Sequence, residues 1–232
     1  IVVRGRLTFS VRYPMPVRPD CAGSYGELPA ETDPLEEPLL VEVSGLVASP
    51  SQPGILWMHN DSGDDARLYA ASTEGKALLR LVLDDVEWSD AEDLAAAPCP
   101  DGSGPCLWVA DVGNNSADRD EVAVYAIPEP SVDVTQGIHD EHIGAGEVWR
   151  FPLRYPDGAF DSEAFVVLPD ASAIVLVEKR DGAESRVAVA LARISSSWLA
   201  SSRSVSACAS SVWCSSSTAW SCSLLASSCD SA

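Results

Sequence analysis

Short apolar runs broken by turn residues recur along the middle of the chain, and three segments share one grammar. The first runs Val43-Ser-Gly-Leu46, a Pro/Gly turn, Ile55-Leu-Trp-Met58, Asn60-Asp-Ser-Gly63 and Arg67-Leu-Tyr-Ala70. The second runs Ala91-Glu-Asp-Leu94, a Pro/Gly turn, Leu107-Trp-Val109, Asp111-Val-Gly113 and Val122-Ala-Val-Tyr125. The third runs Ser162-Glu-Ala-Phe165, a short turn, Ile174-Val-Leu-Val177 with Glu178, a turn at Asp181-Gly182, and Arg186-Val-Ala-Val189. Fourth strands follow in the first two units, at Lys76–Leu83 and Glu147–Arg154. In the latter, Trp149, Phe151 and Leu153 alternate with Arg150, Pro152 and Arg154, the period of two expected of a strand. The third unit lacks an evident outer strand, and helical periodicity is nearly absent.

Four antiparallel strands repeated at intervals of about 50–70 residues predict an all-β chain built of β-propeller blades. Leu46, Leu94, Phe165, Trp57 and Trp108 are expected to face neighbouring blades. The chain supplies about three blades, whereas a propeller closes with about four to eight, so the reading is of an incomplete propeller. An open stack of this kind leaves apolar blade faces exposed. A β-sandwich with coincidental similarity between its segments is the competing architecture.

Composition divides the chain further. From Ser195 to Ala232, 17 of 38 residues are Ser, four are Cys and three are Trp, with one Arg, one Asp and no Gly, Pro or Lys. Lacking charge, turn residues and any period, this segment reads as an irregular Ser/Cys-rich tail outside the blade pattern, disordered or not native sequence. Residues 1–39 read as an irregular N-terminal segment ending in an acidic linker, Glu27–Pro38, and residues 40–194 as the partial propeller.

The net charge of -20 arises from 35 acidic and 15 basic residues, and the tail contributes nothing to it. That balance argues against nucleic acid or an anionic membrane surface as partner, since both need clustered Lys and Arg. The uncharged run Ser204–Cys229 is long enough to span a bilayer but lacks a continuous apolar stretch. Among seven cysteines, Cys99 and Cys106 bracket a Pro-Asp-Gly-Ser-Gly-Pro turn, a spacing that suits a hairpin-closing disulfide. Such a bridge implies an extracellular or periplasmic protein, although residues 1–20 contain no signal-peptide core.

Ser44-Gly-Leu46, Leu56-Trp-Met-His-Asn-Asp61, Glu92-Asp-Leu94, Leu107-Trp-Val-Ala-Asp111 with Gly113, and Tyr155-Pro-Asp-Gly158 followed by Asp161-Ser-Glu-Ala164 carry a resemblance. Over roughly residues 40–194 the chain resembles secreted six-bladed propellers of the gluconolactonase, paraoxonase and phytase-like (esterase-like) kind. The resemblance implies Ca²⁺ or another divalent ion in a central channel, held by Glu, Asn and Asp from several blades. By position in the motif, Asn60, Glu92, Asp111 and Glu163 are the candidate ligands. Their oxygens suit a hard cation.

Other residues offer weaker chemistry. Asn60–Asp65 resembles a calcium loop without the EF-hand spacing, and an Asx-capped turn explains it as well. The acidic run from Asp84 to Asp93 reads as a solvated face or a cation site. His59, at a strand end, is the one candidate general base, beside the bland reading of a structural histidine. His139 and His142 lie three apart in an acidic loop, a spacing that could hold a transition metal.

Three functions follow as expectations: a calcium-supported binding or scaffold protein for a small molecule or protein ligand; a metal-dependent hydrolase of lactones, esters or phosphoesters; or a nonfunctional truncated fragment.

Overall fold

Alternation of side chains along each strand decides how the sheets stack. The computed structural model describes residues 35, 37–155, 158–179, 187–191, 209–216 and 220–225. The N-terminal segment with Cys21, and most of the acidic linker, lie outside them. Fourteen strands are described, with a 3₁₀ turn at Ala145–Glu147 and no α-helix among the described residues.

Sheet 1 takes β1 (Val43–Ala48), β2 (Ile55–Asn60), β3 (Arg67–Ser72), β4 (Ala77–Asp84) and, at its outer edge, β8 (His139–Gly144). Sheet 2 takes β5 (Ala91–Pro98), β6 (Pro105–Asp111), β7 (Val122–Pro128) and β9 (Trp149–Leu153). Sheet 3 takes β10 (Ser162–Val167), β11 (Ala173–Glu178), β12 (Val187–Leu191), β13 (Ala209–Ser216) and β14 (Trp220–Leu225). All pairings are antiparallel except β4 with β8.

Sheet 2 lies between the other two and is apolar on both faces. Leu94, Leu107, Val109, Ala123 and Tyr125 join Ile55, Trp57, Leu68 and Leu79 of sheet 1 in one core. Trp108, Ala110, Val124, Trp149 and Phe151 join Phe165, Val167, Ile174 and Leu176 of sheet 3 in another. Trp108 and Phe151 stack at 5.3 Å between ring centroids. Burial on both faces is why β6 reads as a continuous apolar run rather than an alternating one. A disulfide joins Cys99 and Cys106 across the β5–β6 turn, with Cα atoms 4.8 Å apart.

Three features depart from expectation. Leu46, expected to pack on a neighbour as Leu94 and Phe165 do, is 56% exposed, because no described sheet precedes sheet 1. The acidic loop holding His139 and His142 is strand β8, which crosses from the β7–β9 connection to the edge of sheet 1. Two stretches of the tail are strands. β13 pairs with β12, so sheet 3 has the outer strands the sequence pattern lacked. An open edge offers unpaired N–H and C=O groups that any backbone can use, so pairing there needs no side-chain period.

Trp108 is fully buried between two sheets, so Trp108→Ala should destabilise the fold by about 3–5 kcal/mol. Urea unfolding followed by circular dichroism checks this; a loss under about 1 kcal/mol would show that sheets 2 and 3 do not share a packed core.

Candidate metal centre

The same irregularity recurs at one end of all three sheets. β1, β5 and β10 each slip by one residue against their partners, between Val43 and Gly45, between Ala91 and Asp93, and between Ser162 and Ala164. The residues left without a cross-strand partner are Ser44, Glu92 and Glu163. A bulge re-aims the side chain it frees. Here it turns equivalent residues of stacked sheets toward one place.

Five carboxylates gather there in two overlapping groups, each with oxygens within 4.8 Å of one another. Asp61, Asp90 and Glu92 form one; Glu92, Asp161 and Glu163 form the other. Glu92 belongs to both and is 5% exposed. Ser44 Oγ donates to the Glu92 carbonyl at 2.9 Å and reaches its Oε2 at 3.5 Å. Gly113 leaves the space these acids need: a Cβ there would lie 2.3 Å from Asp90 Oδ2 and 2.4 Å from Glu92 Oε1. Lys179 pairs with Glu163 and lies 3.9 Å from Asp161.

Asn60 and Asp111 occupy a different role. They sit at matched register, opposite Val43 and Ala91, at the ends of β2 and β6. Asn60 Oδ1 accepts from the backbone N–H groups of Val41 and Glu42 at 3.0 and 3.1 Å, and Nδ2 donates to the Leu39 carbonyl and to Asp64 Oδ2. Asp111 Oδ1 accepts from Ser89 and Asp90 N–H at 3.0 and 2.9 Å, and Oδ2 pairs with Arg119 at 2.8 Å. Both side chains therefore hold the chain segment entering the innermost strand, and neither joins the carboxylate groups. Of the four ligands expected, the structure brings Glu92 and Glu163 together.

His59 is fully buried and faces sheet 2. Its Nδ1 lies 2.6 Å from the Asn60 carbonyl, and Nε2 has no hydrogen-bond partner. Gly45 leaves room for the ring, since a Cβ there would lie 2.2 Å from Nε2. Burial holds the imidazole below its usual pKa, against the opposing pull of the Asp93 backbone and the Asp93 and Asp61 carboxylates. His139 and His142, three apart on a strand, point to opposite faces and cannot share an ion. His142 Nδ1 instead lies 3.0 Å from Asp84, and His139 Nε2 3.5 Å from Glu141.

Asp61, Asp90 and Asp161 were not singled out by motif position. The signal was present as Asp90-Ala-Glu92 and Asp161-Ser-Glu163, an Asp two residues before each bulge Glu. In the Asn60–Asp65 turn, Asp61 Oδ1 accepts from Ser62 N–H, and Asp64 Oδ2 accepts from Asn60 and the Tyr69 hydroxyl. Only Asp61 of that turn joins the cluster.

Chemically, the donor set is all carboxylate oxygen, which suits a hard cation of the Ca²⁺ or Mg²⁺ type rather than a thiolate- or imidazole-seeking metal. No family model, curated protein or solved structure matches the chain.

Burial and the surrounding acids, Glu163 first, push Glu92 up to about 8. Asp90 is raised by burial and by Asp61 and Asp161. An acid whose folded-state pKa lies above its unfolded value takes up protons on folding. Its contribution to stability is therefore full below the unfolded value and is lost as pH rises toward the folded one. The cation-free chain should lose stability between about pH 5 and pH 8, and Glu92→Gln should flatten that loss. Urea midpoints at the two pH values test it; identical slopes in both proteins would remove Glu92 as the source.

Proposed function

We propose that the chain is an exported, acidic propeller-type protein whose inner carboxylate cluster binds a Ca²⁺-like divalent ion. That ion supports a binding or scaffold role toward a small-molecule or protein ligand. The observation that carries the reading is Glu92, a buried bulge residue shared by two carboxylate groups drawn from three successive sheets. Lys179 offsets part of the charge at Glu163 and Asp161, and a divalent ion would relieve the repulsion that remains around Glu92. Glu92, Asp61, Asp90, Asp161 and Glu163 would supply oxygens, and water or a ligand group would complete the six to eight that Ca²⁺ takes. Export is supported by the Cys99–Cys106 bridge, and the blade-level resemblance supports the architecture.

Binding is favoured over hydrolysis by one feature: His59, the sole candidate general base, is sealed from solvent at 0% exposure. In the hydrolase reading, the bound ion would polarise a lactone or phosphoester oxygen.

Thermal unfolding with CaCl₂ or MgCl₂ tests the site. Free ion at a hundred times Kd should add about 2.7 kcal/mol of stability. Glu92→Gln should abolish the gain, and Gly113→Ala, which drives a methyl into the carboxylates, should weaken binding at least tenfold. A gain that survives both substitutions would place the ion elsewhere. The calcium-loaded chain should show no turnover of lactone, aryl-ester or phosphoester substrates; turnover abolished by Glu92→Gln would install the hydrolase reading.

A further inference from the structure

Antiparallel neighbours in a sheet are commonly joined by about two to five residues. Strands β7 and β9 are joined instead by residues 129–148, which leave sheet 2 and return to it. The excursion starts at Glu129, whose backbone and side chain serve different sheets. Its N–H continues the sheet 2 ladder, donating to the Pro105 carbonyl at 3.1 Å. Its carboxylate accepts from Ser49 Oγ and Ser51 Oγ in the β1–β2 turn of sheet 1, and from Trp57 Nε1 of β2 at 2.9 Å. Trp57 is fully buried in the core between the two sheets, so the polar atom of its ring is satisfied from across that core.

Beyond Glu129 the excursion is fastened to sheet 1 at successive points. Gln52 Nε2 donates to the Pro130 carbonyl at 2.9 Å, and Gln52 Oε1 accepts from the Val132 N–H at 2.7 Å. Lys76 Nζ donates to the Val134 carbonyl at 3.2 Å. Strand β8 then pairs with β4, from Leu79 opposite His139 to Asp84 opposite Gly144, and Arg80 bridges Asp140 and Glu37. Val132, Ile143 and Val148 pack against the core of sheets 1 and 2 on the way back to β9.

We propose that residues 129–148 are a clasp that makes sheets 1 and 2 a single cooperatively opening unit, with Glu129 as its pin. The pin acts at the end of sheet 1 opposite the carboxylates: residues 49–54 join β1 to β2 there, whereas Asp61 follows β2 at the other end. Repulsion of Asp61 by Asp90 and Glu92 favours parting the two sheets at that other end. A strand paired to β4 and continuous in the chain with β7 and β9 opposes the parting. Release of Glu129 therefore loosens β8 and the strands of sheet 1 together, as one unit of local opening. The clasp stands on these contacts and not on the metal reading of the inner cluster.

Residue-resolved hydrogen exchange on the full chain, without divalent ions, tests the clasp. Glu129→Gln keeps the shape of the side chain and removes its charge. Protected amides of β8 and of β2–β4 should then exchange about tenfold faster and in step with one another, the loss expected of one charge-assisted hydrogen bond. Gln52→Ala leaves the Glu129 contacts in place and should accelerate the same amides, so it carries the test should the first variant not fold. Glu121→Gln removes a sheet 2 carboxylate outside the clasp, paired with Arg150 and Arg154, and should leave those amides as in the wild type. Acceleration confined to residues 49–54 overturns the proposal, since Glu129 would then only cap that turn. So does acceleration of β8 without sheet 1, or an equal response to Glu121→Gln. A calcium response, present or absent, bears on the metal reading and not on this one.

Discussion

Burial of sheet 2 on both of its faces is the constraint from which the rest of the structure follows. Leu107 and Val109 are committed to one neighbour while Cys106, Trp108 and Ala110 are committed to the other. A slip of one residue in β6 would exchange these two sets and lose both cores. Register in the central sheet is therefore held from two sides at once. The bulges of β1, β5 and β10 lie at strand ends, at the same end in all three sheets, while a further one at Leu78 of β4 lies within the packed core.

That placement sets up the electrostatic conflict at the inner edge. Two carboxylates about 4 Å apart repel by about 1 kcal/mol in water, and by about 4 kcal/mol at the effective dielectric near a protein surface. Full burial of one large apolar side chain contributes about 1.5–3 kcal/mol, and the two cores contain more than a dozen such side chains. Apolar burial therefore wins, and the sheets stack even though stacking gathers Asp61, Asp90, Glu92, Asp161 and Glu163. Burial first, and the neighbouring acids after it, push the Glu92 carboxyl up to about 8. Glu92 alone is a member of both carboxylate groups, and Asp90 beside it is raised as well.

What could be read in the sequence was whatever repeats as side-chain pattern. The Leu-Trp runs, the position shared by Ser44, Glu92 and Glu163, and the spacing of Cys99 and Cys106 all belong to that class. Backbone events were not legible. Nothing in His139–Gly144 marks it as a strand, because β8 is an edge strand with polar residues on both faces and gains its pairing from the open edge of β4. β13 likewise carries no period of two, whereas in β14 Trp220, Cys222 and Leu224 alternate with Ser221 and Ser223 inside a Ser-rich segment that hides the pattern. Asn60 and Asp111 were read as ligands because they recur at matched places. In sheets 1 and 2 each accepts from two backbone N–H groups at the entry to the first strand, which accounts for the recurrence. Recurrence alone cannot separate a ligand from a cap; the bulge can, since it faces one residue inward and leaves the next to the ladder.

Glycines and tryptophans divide the contacts between the sheets. At the inner edge, Gly45 brings β1 against β5 so closely that a Cβ would meet His59 and Leu94 at 2.2 and 2.8 Å. Gly113 allows the equally close approach of Asp90 and Glu92. Farther along, the same gaps are filled by Trp57 on one side of sheet 2 and by Trp108, Trp149 and Phe151 on the other. Spacers are thus absent at one end of the contact between sheets 1 and 2 and bulky beyond it. The carboxylates converge at the end where Gly45 brings the two sheets closest, and Gly113 at that end leaves room for the acids.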